Sequence, residues 1–197
     1  SIPHLVFLFV LSYLVLRRWR EREEQARIMS RIDPLTGLYN RRSILIHLNR
    51  EQDRSVQQTL PMAVVMLDLD HFKQINDTWG HEAGDYVLIA AADVLQKNVR
   101  QNDRAGRYGG EEFLLVLPGA DTEGARRLAE RCRQQLEQLE VLLPDGRRLR
   151  VSASMGLFCN EHDRAASPAE MLRKADKALY VAKEGGRNRV VVADLQN

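Results

Sequence analysis

The chain has 197 residues, 44% of them hydrophobic and 28% charged, with a formal net charge of +2. These values describe a folded chain rather than a disordered one, with room for one ordinary domain and an appendage. A charge this near zero gives no electrostatic case for nucleic-acid binding. Cys132 and Cys159 lack metal-ligand spacing, so two free thiols are expected rather than a disulfide.

Residues 5–16, LVFLFVLSYLVL, carry no charge and run straight into Arg17-Arg18-Trp19-Arg20. A full membrane span needs ~20 apolar residues, and the chain opens on Ser1 rather than Met. Residues 1–16 are therefore expected to be the trailing end of a transmembrane helix in a fragment, with the arginines on the cytoplasmic side. A signal-peptide core and a buried core helix are the competing readings. Against the first, no basic segment precedes the run and no small-residue cleavage site follows it. Residues 17–32 pair Arg20 with Glu24 and Glu23 with Arg27 at helical spacing. Their apolar residues Trp19, Ala26, Met29 and Ile32 are too sparse to define a heptad. A solvated connector and a dimerising signalling stalk both remain open. Asp33-Pro34 ends the helix, since the residue before proline is pushed out of the α region.

From residue 33 onward strand and helix patterns are interleaved. Asn40 suits the N-cap of a helix carrying Ile44, Leu45 and Leu48. Residues 62–67 (MAVVML) read as a central strand after Pro61. Residues 81–99 place Val87, Leu88, Ala91, Ala92 and Leu95 on one helical face. Strands are expected near 104–108 and 113–117, a charged helix over 122–139 and one alternating strand over 149–157. A helix over 168–184 stops at Gly185-Gly186, and 190–193 forms a last strand. The pattern predicts an α/β fold: a central mixed sheet with helices on one side, an α+β sandwich related to ferredoxin-like and polymerase-palm layouts, preceded by an N-terminal helix.

Two segments carry chemistry. Arg107-Tyr108-Gly109-Gly110-Glu111-Glu112-Phe113 reads as a tight hairpin turn entering a buried strand. Glycine there admits positive φ and the close approach of a phosphate, and neighbouring carboxylates suit a hard cation such as Mg²⁺. Asp68 ends an apolar strand, where an unpaired carboxylate is costly; an Asp capping the next turn is the plain alternative. Asp68-x-Asp70 is followed by His71-Phe72-Lys73-Gln74-Ile75-Asn76-Asp77, Gly80-His81 and Gly84-Asp85, a dense polar strand-to-helix connection of the kind where α/β proteins place ligands. Polyphosphate, metal and a carboxylate pair together imply phosphoryl-type chemistry.

These residues closely resemble the GGDEF family of diguanylate cyclases. Asp33-Pro34-Leu35-Thr36-Gly37-Leu38-Tyr39-Asn40-Arg41-Arg42 is similar to its opening motif, and the Asp68–Asp85 segment to its metal and nucleotide segment. Gly109-Gly110-Glu111-Glu112-Phe113 is the GGEEF form of the name motif. Ala175-Asp176-Lys177-Ala178-Leu179-Tyr180, Ala182-Lys183 and Gly186-Arg187-Asn188 resemble its closing segment. The resemblance covers about residues 33–193, in order.

It implies a nucleotidyltransferase that condenses two GTP into cyclic di-GMP and releases two pyrophosphates, with two Mg²⁺ per site and Mn²⁺ as an alternative. Metal ligands would be Asp68, Glu111, Glu112 in support, and the Leu69 carbonyl; Glu111 would also be the general base and Lys73 a catalytic partner. A metal-bound carboxylate is an awkward base, so metal activation would carry much of that work. GTP would be held by Asn76 and Asp85 on guanine, with Phe72, His81, Gly109, Gly110, Lys183 and Arg187 around the rest. Arg100-x-x-Asp103, five residues before Gly109, would form an inhibitory product site, with Arg131 as a second contact. The partners implied are GTP, cyclic di-GMP, a second copy of the chain and the bacterial inner membrane, with the catalytic domain on the cytoplasmic side and no nucleic acid. A catalytically silent module that binds GTP or cyclic di-GMP is the alternative, and so is a cyclase with relaxed base selectivity.

Overall fold

The computed structural model describes residues 12–20 and 31–193. The chain divides into two units, Ser1–Arg31 and Ile32–Asn197. In the first, residues 12–20 are helical and exposed. Among the described residues no helix is long and apolar enough to cross a membrane. Most of the expected membrane segment and stalk lies outside the described residues.

The second unit holds a five-stranded sheet. Its centre is β1 (Met62–Leu69), flanked by β3 (Glu112–Pro118) and β6 (Ala153–Cys159), with β2 (Arg104–Arg107) and β7 (Val190–Val192) at the edges. The order is β2-β3-β1-β6-β7; only the β6/β7 pair is parallel. Five helices surround the sheet: α1 (Arg41–Gln58), α2 (Phe72–Trp79), α3 (His81–Asn98), α4 (Thr122–Gln138) and α5 (Pro168–Glu184). A small hairpin, β4 (Glu140–Leu142) with β5 (Arg148–Arg150), stands apart as its own sheet.

Every residue of β1 is buried, which explains its unbroken apolar run. Ala63, Val65, Leu67 and Leu69 pack with α2, α3 and α4 side chains, including Phe72, Val87, Ala91, Leu95, Ala125 and Leu136. Met62, Val64 and Met66 face the other way, onto Ile44 and Leu48 of α1 and Met171, Ala175 and Leu179 of α5. Successive side chains point to opposite faces, so helices cover both faces of the sheet. The expectation of helices on one side is corrected: a central strand apolar at every position needs cover above and below.

Two further expectations change. The single strand expected over 149–157 is two strands in different sheets, broken at Val151-Ser152, where the Ser152 carbonyl accepts from the Asp70 amide at 2.8 Å. The polar run after Asp70 is not a loop but helix α2, entered through His71 in the left-handed conformation (φ 57°). Local signals held elsewhere. Asn40 caps α1 by accepting from Ser43 N at 3.0 Å. Ser167 and Glu170 form a reciprocal capping box on α5, with Pro168 in its first turn.

Gly156 lets α5 lie almost on the sheet. A Cβ there would stand 2.0 Å from the Ala175 carbonyl oxygen and 2.2 Å from the Leu179 amide nitrogen. Both are helix backbone, so relief requires moving α5 itself. Gly156→Ala is expected to lower unfolding free energy by about 3 kcal/mol, the upper end of the usual overpacking cost. Gly110→Ala, whose Cβ meets nothing within 4 Å, should stay within about 0.5 kcal/mol of wild type. Denaturant titration of both variants checks this, and equal stabilities would contradict the packing.

Candidate active site

The antiparallel register of β1 and β3 sets Asp68 directly opposite Glu112. Like charges in that relation repel, and Glu112 shows it. Burial pushes the Asp68 carboxyl above the usual range, the nearby Glu111 and Asp70 charges add to the rise, and Lys183 opposes it. Burial likewise raises Glu112, helped by repulsion from Asp68, Asp176 and Glu111. Lys183, on the last turn of α5, reaches back to place its Nζ 2.9 Å from Asp68 Oδ2. Lys183, Asp68 and Glu112, from three elements, thus share one end of the sheet, with the Glu111 charge near enough to act on both carboxylates.

The hairpin between β2 and β3 closes through Tyr108 N and Gly109 N, which both donate to the Glu112 carbonyl, at 2.7 and 3.2 Å. Neither Gly109 nor Gly110 adopts a positive φ, so the expected conformational reason for these glycines is corrected. Gly109 is needed for room: a Cβ would stand 2.3 Å from Glu112 Oε2. The Glu112 carboxylate folds over the turn, and a side chain at position 109 would displace it. Gly110 is open on its outer side. Arg107 anchors the turn, donating from Nε and Nη2 to the Gly110 carbonyl at 3.1 and 2.9 Å. Its Nη1 pairs with Asp33 at 3.3 Å. Arg41 stacks over the Tyr108 ring at 4.6 Å. Burial works against Asp33 ionising, but Thr36 and Arg107 together hold its carboxyl below the usual range. The opening motif is thereby tied to the glycine turn through a residue that the sequence reading did not single out.

On the α2–α3 side, the Asn76 side chain lies against the backbone of Gly84, where a Cβ would fall 2.0 Å from Asn76 Oδ1. That oxygen is buried and lacks a hydrogen-bond partner among the described residues. Asp85 follows Gly84 on α3 and is exposed. A buried acceptor without a donor costs free energy, and it stands beside an open carboxylate. The Phe72 ring is buried in the core near Gly84 and supports this wall. Lys73, His81 and Arg187 are exposed. Leu69 is buried at the end of β1, its amide donating to the Glu111 carbonyl at 3.3 Å.

Asp70, read in the sequence as one more polar residue beside Asp68, is instead a buried clamp. Its carboxylate accepts from Ser152 Oγ at 2.6 Å, Ser154 Oγ at 2.7 Å and Asn188 N at 3.1 Å. Arg100 and Asp103 form a closed turn: the Arg100 amide donates to Asp103 Oδ2 at 2.8 Å, and the Asp103 amide to the Arg100 carbonyl at 3.1 Å. Burial raises the Asp103 carboxyl despite that bond. Arg131, from α4, donates to Asn98 Oδ1 at 2.6 Å and to its carbonyl at 3.0 Å, two residues before Arg100. The three residues expected at a product site therefore come to one corner.

Among the described residues no three His, Cys, Asp or Glu side chains already converge as a metal cage. The donor set nevertheless fits Mg²⁺. This ion is held by one or two carboxylates plus substrate phosphates rather than by an all-protein cage. A pair of carboxylates pushed toward protonation by burial and by neighbouring negative charge is what a divalent cation relieves.

Residues 30–189 match the family model described as "Diguanylate cyclase, GGDEF domain". The probable diguanylate cyclase DgcT of Escherichia coli (strain K12) is 43% identical over 170 residues, covering 84% of this chain and 36% of its own length. The chain spans less than half the length of the curated relatives it matches. Among solved structures, the GGDEF domain of DgcB from Caulobacter crescentus in complex with c-di-GMP superposes with a TM-score of 0.80 at 32% identity, covering 83% of this chain and 93% of that one. Diguanylate cyclase SiaD from Pseudomonas aeruginosa, in complex with its activator SiaC, gives 0.79 at 37% identity over 98% of this chain and 73% of that one.

Because folding raises the Glu112 pKa, its ionised form weakens the fold at pH values above the raised pKa. Below the ordinary glutamate value of 4.5 the effect is absent. Without added metal, Glu112→Gln should melt at a higher temperature than wild type at pH 7. That gain should disappear as the pH falls below 4.5. A gain that persists in acid would show that repulsion at Glu112 is not its source.

Proposed function

The chain belongs to the GGDEF family of diguanylate cyclases, and we propose that it condenses two GTP into cyclic di-GMP. In each half-reaction a ribose 3′-oxygen bonds to the α-phosphorus of the facing GTP, the α–β phosphoanhydride bond breaks, and pyrophosphate leaves with the electron pair. The observation that carries this is the meeting of Asp68, Glu112 and Lys183 beside the glycine turn, with an unpartnered Asn76 oxygen at Asp85.

Asp68, Glu111, Glu112 and the Leu69 carbonyl would hold Mg²⁺. Bound there, the ion supplies charge neutralisation at the reacting phosphate and acidifies the 3′-hydroxyl. Lys183 offers its ammonium at the same edge, and the exposed Lys73 and Arg187 add positive charge for the triphosphate. Asn76 and Asp85 jointly bind the guanine edge, with its N1–H and amino donors facing Asp85; adenine presents no such pair of donors there. Glu111 receives the 3′-hydroxyl proton.

Each site holds one GTP, so the reaction needs two copies of the domain facing one another. A stalk over residues 17–32 and a membrane-embedded end over residues 1–16 would set how copies meet, with the catalytic domain 33–197 on the cytoplasmic side of the inner membrane. Product would bind back at Arg100, Asp103 and Arg131 and slow the enzyme.

Incubation of the chain with GTP and Mg²⁺ should yield cyclic di-GMP, and Asp68→Ala should lower the rate by at least about 100-fold. Bound GTP with no product, even when stalks are joined by a dimerising fusion, would favour the silent binding module. Arg100→Ala should keep the initial rate and lose slowing by added cyclic di-GMP; an unchanged inhibition curve would remove the assignment of that turn.

A further inference from the structure

The turn after α5 is held in a costly shape. Gly186, Arg187 and Asn188 lie consecutively at positive φ, 110°, 64° and 46°. For residues other than glycine this region costs about 1–2 kcal/mol each, less for asparagine. Such a conformation persists only where its surroundings fix it.

Asn188 is the point at which they do. Its backbone amide donates to Asp70 Oδ2 at 3.1 Å. Its side-chain oxygen accepts from Arg133 Nη1 at 2.7 Å, and its side-chain nitrogen donates to Glu137 Oε1 at 2.7 Å. Each partner is itself fixed: Asp70 by Ser152 and Ser154, and Arg133 by Glu130 and Glu137. The start of β6, the end of β1 and α4 thus converge on one residue. Lys183 lies just before that turn, in the last turn of α5, its carbonyl accepting from Gly186 N at 3.3 Å, while its ammonium reaches Asp68.

We propose that Asn188, anchored by Asp70 and Arg133, is a positioning residue for the triphosphate end of the nucleotide. It holds the left-handed turn that fixes where Arg187 sits, beside Lys183 at the end of α5. Asn188 does not itself touch substrate, since its side-chain groups are committed to α4. The inference rests on the GTP-binding reading above, and it divides the site into a guanine half on α2 and α3 and a phosphate half braced through Asn188.

The test uses the whole 197-residue chain with Mg²⁺ and two probes, an α,β-methylene analogue of GTP and guanosine monophosphate. Asn188→Gly keeps the backbone donor and tolerates the positive φ but removes both side-chain ties; Arg133→Gln removes one tie from α4. Each variant should bind the triphosphate analogue about tenfold more weakly, the scale of a small misplacement, while monophosphate affinity is kept. The double variant should be no weaker than Asn188→Gly alone, because both changes act through one contact. Thermal melts of all variants establish that they are folded. Equal loss for both probes, or unchanged triphosphate binding, would overturn the positioning role. Wild type that binds neither probe would overturn the GTP-binding reading with it.

Discussion

The antiparallel register between β1 and β3 is the constraint on which the site depends. It sets Asp68 against Glu112 at the end of a strand buried along its whole length. Their backbone positions are fixed by a ladder that also places Leu67 opposite Phe113 and Met66 opposite Leu114 in the two cores. Cross-strand like charges are worth roughly 0.2–1 kcal/mol of destabilisation, small beside the apolar burial that fixes the register, about 1.5–3 kcal/mol for each large side chain. The core therefore imposes the repulsion, and the repulsion makes the edge receptive to cations.

Lys183 is the cation the protein supplies itself, and its reach follows from how closely α5 packs. Gly156 on β6 faces Ala175 and Leu179 with no atom to spare. Met66 of β1 pairs with Gly156, so the same contact sets the helix against the strand that ends in Asp68. Gly106 performs the corresponding role for α1, since a Cβ there would stand 2.6 Å from Ile44 Cβ. These two glycines act through absent volume, whereas Gly109 makes space for a functional carboxylate.

Much of the fold was legible because its signals are local. The Asn40 cap, the helix stop at Gly185 and the unbroken apolar run of β1 each declare themselves within a few residues. The missed α2 lies between Asp70 and Gly80 and buries a single residue, Phe72, so it offers too little apolar periodicity to read as a helix. Residues 149–157 alternate continuously, yet the chain changes sheets at Ser152 because the Ser152 carbonyl bonds to the Asp70 amide, 82 residues earlier in the chain. Arg107 and Asn188 were read only as members of their motifs, with no role of their own, for the same reason. Their partners, Asp33 for one and Asp70, Arg133 and Glu137 for the other, are distant in sequence.

The sequence alone determined which chemical groups are present and in what order: carboxylates at 68, 111 and 112, glycines at 109 and 110, an amide at 76 and cations at 183 and 187. It also determined the family, since motifs at that order and spacing carry it. Tertiary structure decided which of these groups meet. Register, not spacing, chose Glu112 as the residue facing Asp68, and a helix lying on a glycine brought Lys183 to 2.9 Å from it. Tertiary structure also separated two aspartates one residue apart, leaving Asp68 at the site and burying Asp70 among three donors. Alternation along an extended strand would leave both on one face, but β1 ends at Leu69 and the chain turns at His71. The physical reason is therefore what packs beyond the strand end, where hydrogen-bond donors drawn from distant segments decide whether a carboxylate is structural or available for chemistry.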